Sequence, residues 1–264
     1  IKAGMMQDLF TRGVWTEQEL ARGDHHGLPC ESTAKPGQLR PPPSVAPKLY
    51  KDSRLGLIPK DWDVVEIKDI NKSIDAGKSP SCPEVPAKGD EWGVLKVGAV
   101  NPSGFKENQN KVVLQRLMKE PKYLVCMDDL LITRANTYEL VGNVCMVSNV
   151  RVRLMLSDKT LRLNVDEDLA EKTNIFYVLQ LPASRRQIEN YATGTSGSMK
   201  NIGQSDIGRL KVPLAKVEEQ LAISSILQGL DNAVSKSDIE LKKLRQQKQG
   251  LMQDLLTGKV RVRV

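Results

Sequence analysis

From Ile223 to Leu255 the chain carries an apolar seam in alternating steps of four and three: Ile223, Leu227, Leu230, Val234, Ser237, Leu241, Leu244, Lys248, Leu251 and Leu255. Steps of that size return each side chain to one face of an α-helix, and Ser237 and Lys248 alone are polar in the series. No proline falls between Pro213 and Val264, so nothing interrupts a helix expected from about Lys216 to Thr257, with Gly258 as its stop signal. At about 1.5 Å per residue it is roughly 60 Å long. Such a seam cannot be buried by one domain alone and calls for a partner helix. Lys248 can sit in it, since its methylene stem lies along apolar surface while the ammonium reaches water.

The two ends of the chain resemble each other. KAGMMQDLFTRGV, Lys2 to Val14, matches KQGLMQDLLTGKV, Lys248 to Val260, at eight of thirteen positions, where fewer than about one match is expected by chance. Two helix ends of similar composition need not share an ordered M-Q-D-L-x-T string. The copies lie 246 residues apart, and the spacing implies a two-unit parent with a similar unit before Ile1. The chain begins with Ile1 inside what reads as a helix, so a fragment of a longer polypeptide is expected.

Between the copies the composition changes. Residues 15–55 hold Gly23, Gly27, Pro29, Pro36, Gly37 and the run Pro41 to Pro43, which predicts an extended linker with a polyproline stretch. Residues 56–214 alternate short apolar segments with Gly, Pro and Asn: Trp62–Ile67, Gly93–Val100, Leu130–Thr133, Asn143–Val147, Leu161–Val165 and Leu210–Leu214. These read as strands, and Asp168–Leu181 and Ser184–Tyr191 as helices. The fold class expected is therefore α+β, a mixed or antiparallel-sheet domain followed by one long coiled-coil-forming helix in 215–264, with residues 1–14 as the end of another helix. Aromatics are only 4% of the chain, in keeping with a large share of rod and linker.

Lys and Arg number 39 against 32 Asp and Glu, a net charge of +7, which favours a polyanionic partner without identifying one. The longest apolar runs, Tyr123–Met127 and Leu130–Ile132, are far below the roughly 18 residues of a membrane-crossing helix; no membrane partner is expected. Cys30, Cys82, Cys126 and Cys145 have no close pair, and the histidines are His25 and His26. That spacing fits no zinc motif, so no metal site is expected; it suits reduced thiols in the cytoplasm.

Catalytic motifs fail on inspection. Gly77-Lys78-Ser79 matches the end of a phosphate-binding P-loop, but the glycine needed five residues earlier is Lys72. Asn101-Pro102-Ser103-Gly104-Phe105 only faintly resembles the Asn-Pro-Pro-aromatic loop of amino-methyltransferases, lacking the second proline, and a turn between strands accounts for it better. Both histidines fall in the linker, which leaves no His-dependent triad, and the adjacent Asp128 and Asp129 suit a solvated loop better than an acid–base pair. No catalytic residue is assigned.

Polar segments suit DNA better. Leu131 to Tyr138 ends an apolar strand in Arg134, Asn136 and Tyr138, types that read guanine, read adenine, and stack or touch phosphate; a surface ion pair for Arg134 is an equal alternative. Thr193 to Asn201 is a glycine-rich loop with Thr195, Ser198 and Lys200, able to bring N–H groups to phosphates, although a plain surface connection has the same composition. Ser157 to Leu163 reads as an ordinary edge strand with Lys159 outward.

The blocks GLIPKDWDVVEIKDI (Gly56 to Ile70), DAGKSPS (Asp75 to Ser81), SDKTLRL (Ser157 to Leu163), YATGTSGSMKNIGQSDIGRLKVPL (Tyr191 to Leu214), EEQLAISSILQGLD (Glu218 to Asp231) and LMQDLLTGKV (Leu251 to Val260) together resemble the specificity subunit of Type I restriction-modification enzymes. The resemblance implies a second target-recognition domain with its C-terminal conserved helix, preceded by the end of the central conserved helix. It also implies recognition of one half of a split target in the major groove, with helices packed antiparallel as a spacer. A rod of about 60 Å covers nearly two duplex turns of about 34 Å. Partners so implied are double-stranded DNA, modification subunits carrying S-adenosylmethionine, and a restriction subunit using ATP and Mg; no cofactor is expected in this chain. DNA-reading candidates are Lys78, Ser79, Arg134, Asn136, Tyr138, Thr195, Ser198 and Lys200, chosen for chemistry and loop position. Ala215-Lys216-Val217 departs from the usual Pro-Leu-Pro before Glu-Glu-Gln, which predicts a softer turn into the helix. Two other readings stay open: a half-length subunit acting as a homodimer through its long helix, and a coiled-coil scaffold with no DNA role.

Overall fold

The computed structural model describes residues 2–114, 121–150, 153–194 and 199–257. At the N-terminus α1 (Lys2–Arg12) places Met6, Leu9 and Phe10 on one face and buries them. Thr16 starts α2 (Glu17–Arg22) with a capping box, its side chain accepting from the Glu19 N–H while the Glu19 carboxylate accepts from the Thr16 N–H. Residues 15–55 are therefore not the extended linker expected from their Gly and Pro content. Trp15, Arg40 and Tyr50 are buried, and β1 (Tyr50–Ser53) pairs antiparallel with β2 (Gly56–Pro59). Large side chains with matched partners override local composition here: the Tyr50 hydroxyl donates to the Pro41 carbonyl, and Arg40 stacks 5.6 Å from the Trp15 ring. His25 packs edge-on against Trp15, and exposed His26 pairs with Glu31.

The domain continues through β3 (Asp63–Glu66), β4 (Asn71–Ala76), β5 (Gly93–Leu95), β6 (Val100–Asn101), β7 (Gly104–Phe105) and β8 (Asn110–Val112). There follow β9 (Leu130–Thr133), β10 (Ala135–Asn136), β11 (Val144–Met146), β12 (Leu154–Met155), β13 (Thr160–Val165), α3 (Lys172–Leu179) and α4 (Pro182–Tyr191). The last elements are β14 (Lys200–Asn201), α5 (Gln204–Gly208), β15 (Lys211–Leu214) and α6 (Val217–Leu256). An antiparallel sheet ordered β11-β9-β13-β4 forms the middle layer. Because strand side chains alternate, Leu130, Ile132, Leu161 and Leu163 enter one core with Ile175, Val178, Ile188 and Ile223, while Leu131 and Cys145 enter a second core with Leu95, Leu154 and Leu156. Under that second face lies the sheet β12-β5-β8, with β12 and β5 parallel. The fold is α+β with a mixed, mostly antiparallel strand arrangement, as expected, and Asn101 to Phe105 is the β6–β7 hairpin.

Two local expectations are corrected. β13 is not an edge strand but lies between β9 and β4, because Leu161 and Leu163 are needed in the core while Arg162 faces the opposite layer. Asp129 is not a solvated acid: Arg162 donates to it at 3.2 Å, to Asp75 at 2.8 Å and to the Leu124 carbonyl at 2.9 Å. Asp128 is exposed.

The long helix is one residue shorter at each end than expected, and Gly258 lies outside the described residues. Glu218 and Glu219 in its first turn complement the helix dipole. The turn before it is not soft. Gln220 donates to the Ala215 carbonyl at 2.8 Å and accepts from the Glu171 N–H at 2.7 Å, restraining the turn. Glu219 is 1% exposed and accepts from the Val14 N–H, the Trp62 indole and Arg40. Arg40 also donates to Glu19 at 2.6 Å and Asp61 at 3.1 Å. The carboxylates of Glu19, Asp61 and Glu219 lie close enough to share a cation, and the guanidinium is that cation. This clamp ties α1, the 15–55 segment and the domain to the root of α6.

The seam divides in two. The domain buries Ile223 and Leu227 and partly covers Leu230, so it covers the seam at this end only. α1 runs antiparallel to this stretch, with Lys2 paired to Asp231 and Val14 bonded to Glu219. From Asn232 to Gln253 every residue is exposed, including Val234, Leu241, Leu244 and Leu251, as is Leu255 beyond them.

Candidate nucleic-acid interface

Antiparallel pairing brings the C-terminal ends of β4 and β9 and the N-terminal ends of β13 and β11 to one end of the central sheet. Four segments meet there. Residues 77–80 leave β4, residues 134–138 leave β9, residues 157–159 lead into β13, and residues 193–194 and 199–201 join through β14, whose Lys200 pairs with Asn136 of β10. Backbone bonds lace the segments into one surface: Gly77 N–H to Ser157 O at 3.1 Å, Arg134 N–H to Lys159 O at 2.8 Å, and Ile202 N–H to Arg134 O at 2.9 Å.

Lys78 and Ser79 follow Gly77, whose place in the chain is set by a close approach. A Cβ there would lie 1.9 Å from the Leu156 carbonyl oxygen, so this glycine serves the meeting of two backbones and not a nucleotide loop. The Ser79 hydroxyl donates to Asp158, and Lys78 and Ser79 are exposed.

Arg134 is exposed and its guanidinium makes no ion pair or hydrogen bond among the described residues; the surface pairing weighed for it is not seen. Asn136 accepts from the Thr137 N–H at 2.9 Å, leaving its NH₂ group without a partner among the described residues. Tyr138 is 50% exposed. Its carbonyl accepts from Arg185 of α4, which also holds the Val141 carbonyl, and the Thr133 hydroxyl donates to the Leu140 carbonyl at 2.7 Å. The 134–142 segment is thus pinned at its base while its polar tips face solvent. Lys200 donates to the Gly194 carbonyl at 2.9 Å, keeping two N–H donors for an outside acceptor. Thr195 and Ser198 lie outside the described residues.

Sequence reasoning missed Lys159 as a member of this surface, and Arg185 as the residue that positions it. The polar Ser157-Asp158-Lys159-Thr160 turn was the available signal for Lys159. Its local partner is Glu189, an ordinary i,i+4 helix pair, and nothing local marks Arg185 for this surface, because the carbonyls it holds there are more than forty residues away in sequence. Beside the sheet end is a cleft of about 290 Å³ lined by Ser79, Ser157, Lys159, Lys96, Lys111 and Glu84 among others. With Lys78, Arg134 and Lys200 the surface is predominantly basic, and its loops sit on a rigid sheet, where their residues can differ without disturbing the core.

Residues 59–245 match the family description Type I restriction modification DNA specificity domain. The chain is 31% identical over 183 residues to the Type I restriction enzyme EcoEI specificity subunit of Escherichia coli, covering 69% of this chain and 31% of that protein. It is 25% identical over 266 residues to the Type I restriction enzyme MjaVIII specificity subunit of Methanocaldococcus jannaschii, covering 99% of this chain and 54% of that protein. The chain thus spans about a third to a half of the length of these curated relatives. In fold it is similar to the crystal structure of the S subunit of a Type I restriction-modification system from M. genitalium (TM-score 0.50, 19% identity, 70% of this chain and 44% of that one). A similar likeness holds to the HsdS subunit from Thermoanaerobacter tengcongensis (TM-score 0.50, 15% identity, 78% and 47%).

Proposed function

The chain belongs to the family of Type I restriction modification DNA specificity domains, and from that membership we propose that it reads one part of a bipartite DNA target in the major groove through the loops at the end of its central sheet. The observation that carries this reading is the convergence of Lys78, Ser79, Arg134, Asn136, Tyr138, Lys159 and Lys200 on one surface from four separate segments. Arginine and asparagine supply the bidentate donors and acceptors that distinguish guanine and adenine, and the lysines supply phosphate contacts that position them.

On this reading residues 56–214 are the target-recognition domain, residues 1–14 the end of a central helix and residues 215–264 the C-terminal conserved helix. The exposed part of α6 is the surface for a partner helix, and with the domain it docks modification and restriction subunits. S-adenosylmethionine, ATP and Mg belong to those subunits, and this chain is a non-catalytic reader that works in the cytoplasm. Free thiols at the cysteines agree with that compartment. A scaffold without a DNA role is not favoured, because it leaves the basic sheet end unexplained.

The test is titration of the chain with random-sequence duplex at two salt concentrations, followed by competition with defined duplexes. Affinity that falls steeply as salt rises, plus preference for one short sequence, is expected. Absence of any salt-dependent binding would overturn the reading.

A further inference from the structure

Within the cleft beside the sheet end, one carboxylate bridges two ammonium groups. Lys96, immediately after β5, reaches Oε2 of Glu84 at 2.8 Å, and Lys111 of β8 reaches Oε1 of the same side chain. The lysine side chains are recessed, 29% and 32% exposed, whereas that of Glu84 is 70% exposed. The backbone beside Glu84 is fixed. The Val85 carbonyl accepts from the Val112 N–H at 2.9 Å, and the Ala87 N–H donates to Asn110 at 2.8 Å. Only the glutamate side chain has to rotate for the two ammonium groups to lose their shared anion.

Two converging ammonium groups demand an anion with two oxygens, which a phosphodiester supplies through its non-bridging pair. Ser79, Ser157 and Lys159 of the reading surface line the same cleft, so a DNA strand held at the sheet end passes its mouth. We propose that Lys96 and Lys111 form a phosphodiester subsite, and that Glu84 is its built-in stand-in, displaced when the DNA backbone enters. The proposal rests on the DNA-recognition reading and extends it. Exposed ion pairs are weak, so Glu84 leaves at little cost, yet its presence lowers the affinity of the cleft for phosphates that are not held in register by base contacts.

The experiment is the duplex titration applied to the full chain and five variants, with thermal melts to confirm folding. We expect Glu84→Gln to raise affinity for random duplex about three- to tenfold, the combined worth of two exposed pairs. Lys96→Met and Lys111→Met should each flatten the slope of log affinity against log salt, and the two together by about 0.9, the value for one phosphate. In the Lys96→Met/Lys111→Met background, Glu84→Gln should gain nothing. Unchanged or weaker binding by folded Glu84→Gln, or unaltered slopes in the lysine variants, overturns the subsite while the parent chain still binds. The lysine slopes decide the matter even if Glu84→Gln melts early. Failure of the parent chain to bind any duplex overturns the recognition reading and the subsite with it.

Discussion

Arg134 stands where an apolar strand gives out, its N–H bonded to the Lys159 carbonyl and its carbonyl accepting from the Ile202 N–H. That double tether fixes the backbone and leaves the guanidinium without a partner among the described residues, which suits a side chain meant for an external acceptor. Arg134→Ala is expected to cost about 1–3 kcal/mol at one base-pair position, as for a bidentate guanine contact. Competition with duplexes altered one base pair at a time measures it. A loss spread evenly over all sequences would make Arg134 a phosphate contact instead. Residue types and loop position nominate Arg134, Asn136 and Lys200 in the sequence, and the fold brings the three to one surface. Lys159 was hidden because its segment reads as an edge strand, and its place on this surface depends on β13 lying between β9 and β4.

The elements were legible in proportion to how locally they are determined. The α6 helix, the hairpin at Asn101 to Phe105 and the β9 strand each follow from a period or a turn signal within their own residues. By contrast, the 15–55 segment carries the composition of a linker and folds because Trp15, Arg40 and Tyr50 find partners up to 179 residues away, as in the Arg40–Glu219 bond. Burial pushes the Glu219 carboxyl up to about 7, with Arg40, the Trp62 indole and the Val14 N–H pulling the other way. A folded value above the ordinary 4.5 means that the protonated residue contributes stability in full below about pH 4.5, and that this is lost as pH rises through about 7. The melting temperature should therefore fall between pH 5 and 8, and Glu219→Gln, which is neutral throughout, should flatten that fall. An equal or steeper fall in the variant would contradict the assignment of this dependence to Glu219.

At the scale of the whole molecule, a domain with its own cores carries a bare helix. From Asn232 to Gln253 no residue is covered, a span of roughly 33 Å at 1.5 Å per residue. The terminal repeat indicates what this part of the helix is built to do. Met6, Leu9 and Phe10 of the first copy are buried beside β2 and the root of α6, whereas their counterparts Met252, Leu255 and Leu256 are exposed. We expect the chain to self-associate through this face. Leu241→Lys with Leu244→Lys should shift it to monomer in sedimentation velocity while the melt of the domain is unchanged, because both side chains lie clear of its cores. A species distribution unaltered by the double substitution would place the contact elsewhere. The long helix, the strand-and-helix content and the family resemblance can be read from the residues alone, because periodicity, turn chemistry and ordered motifs are local or contiguous. Which loops share a surface, how far the domain covers the seam, and the folding of the Gly- and Pro-rich segment emerge with the assembled fold. Those depend on strand order and on ion pairs closed across the chain, which no window of the sequence contains.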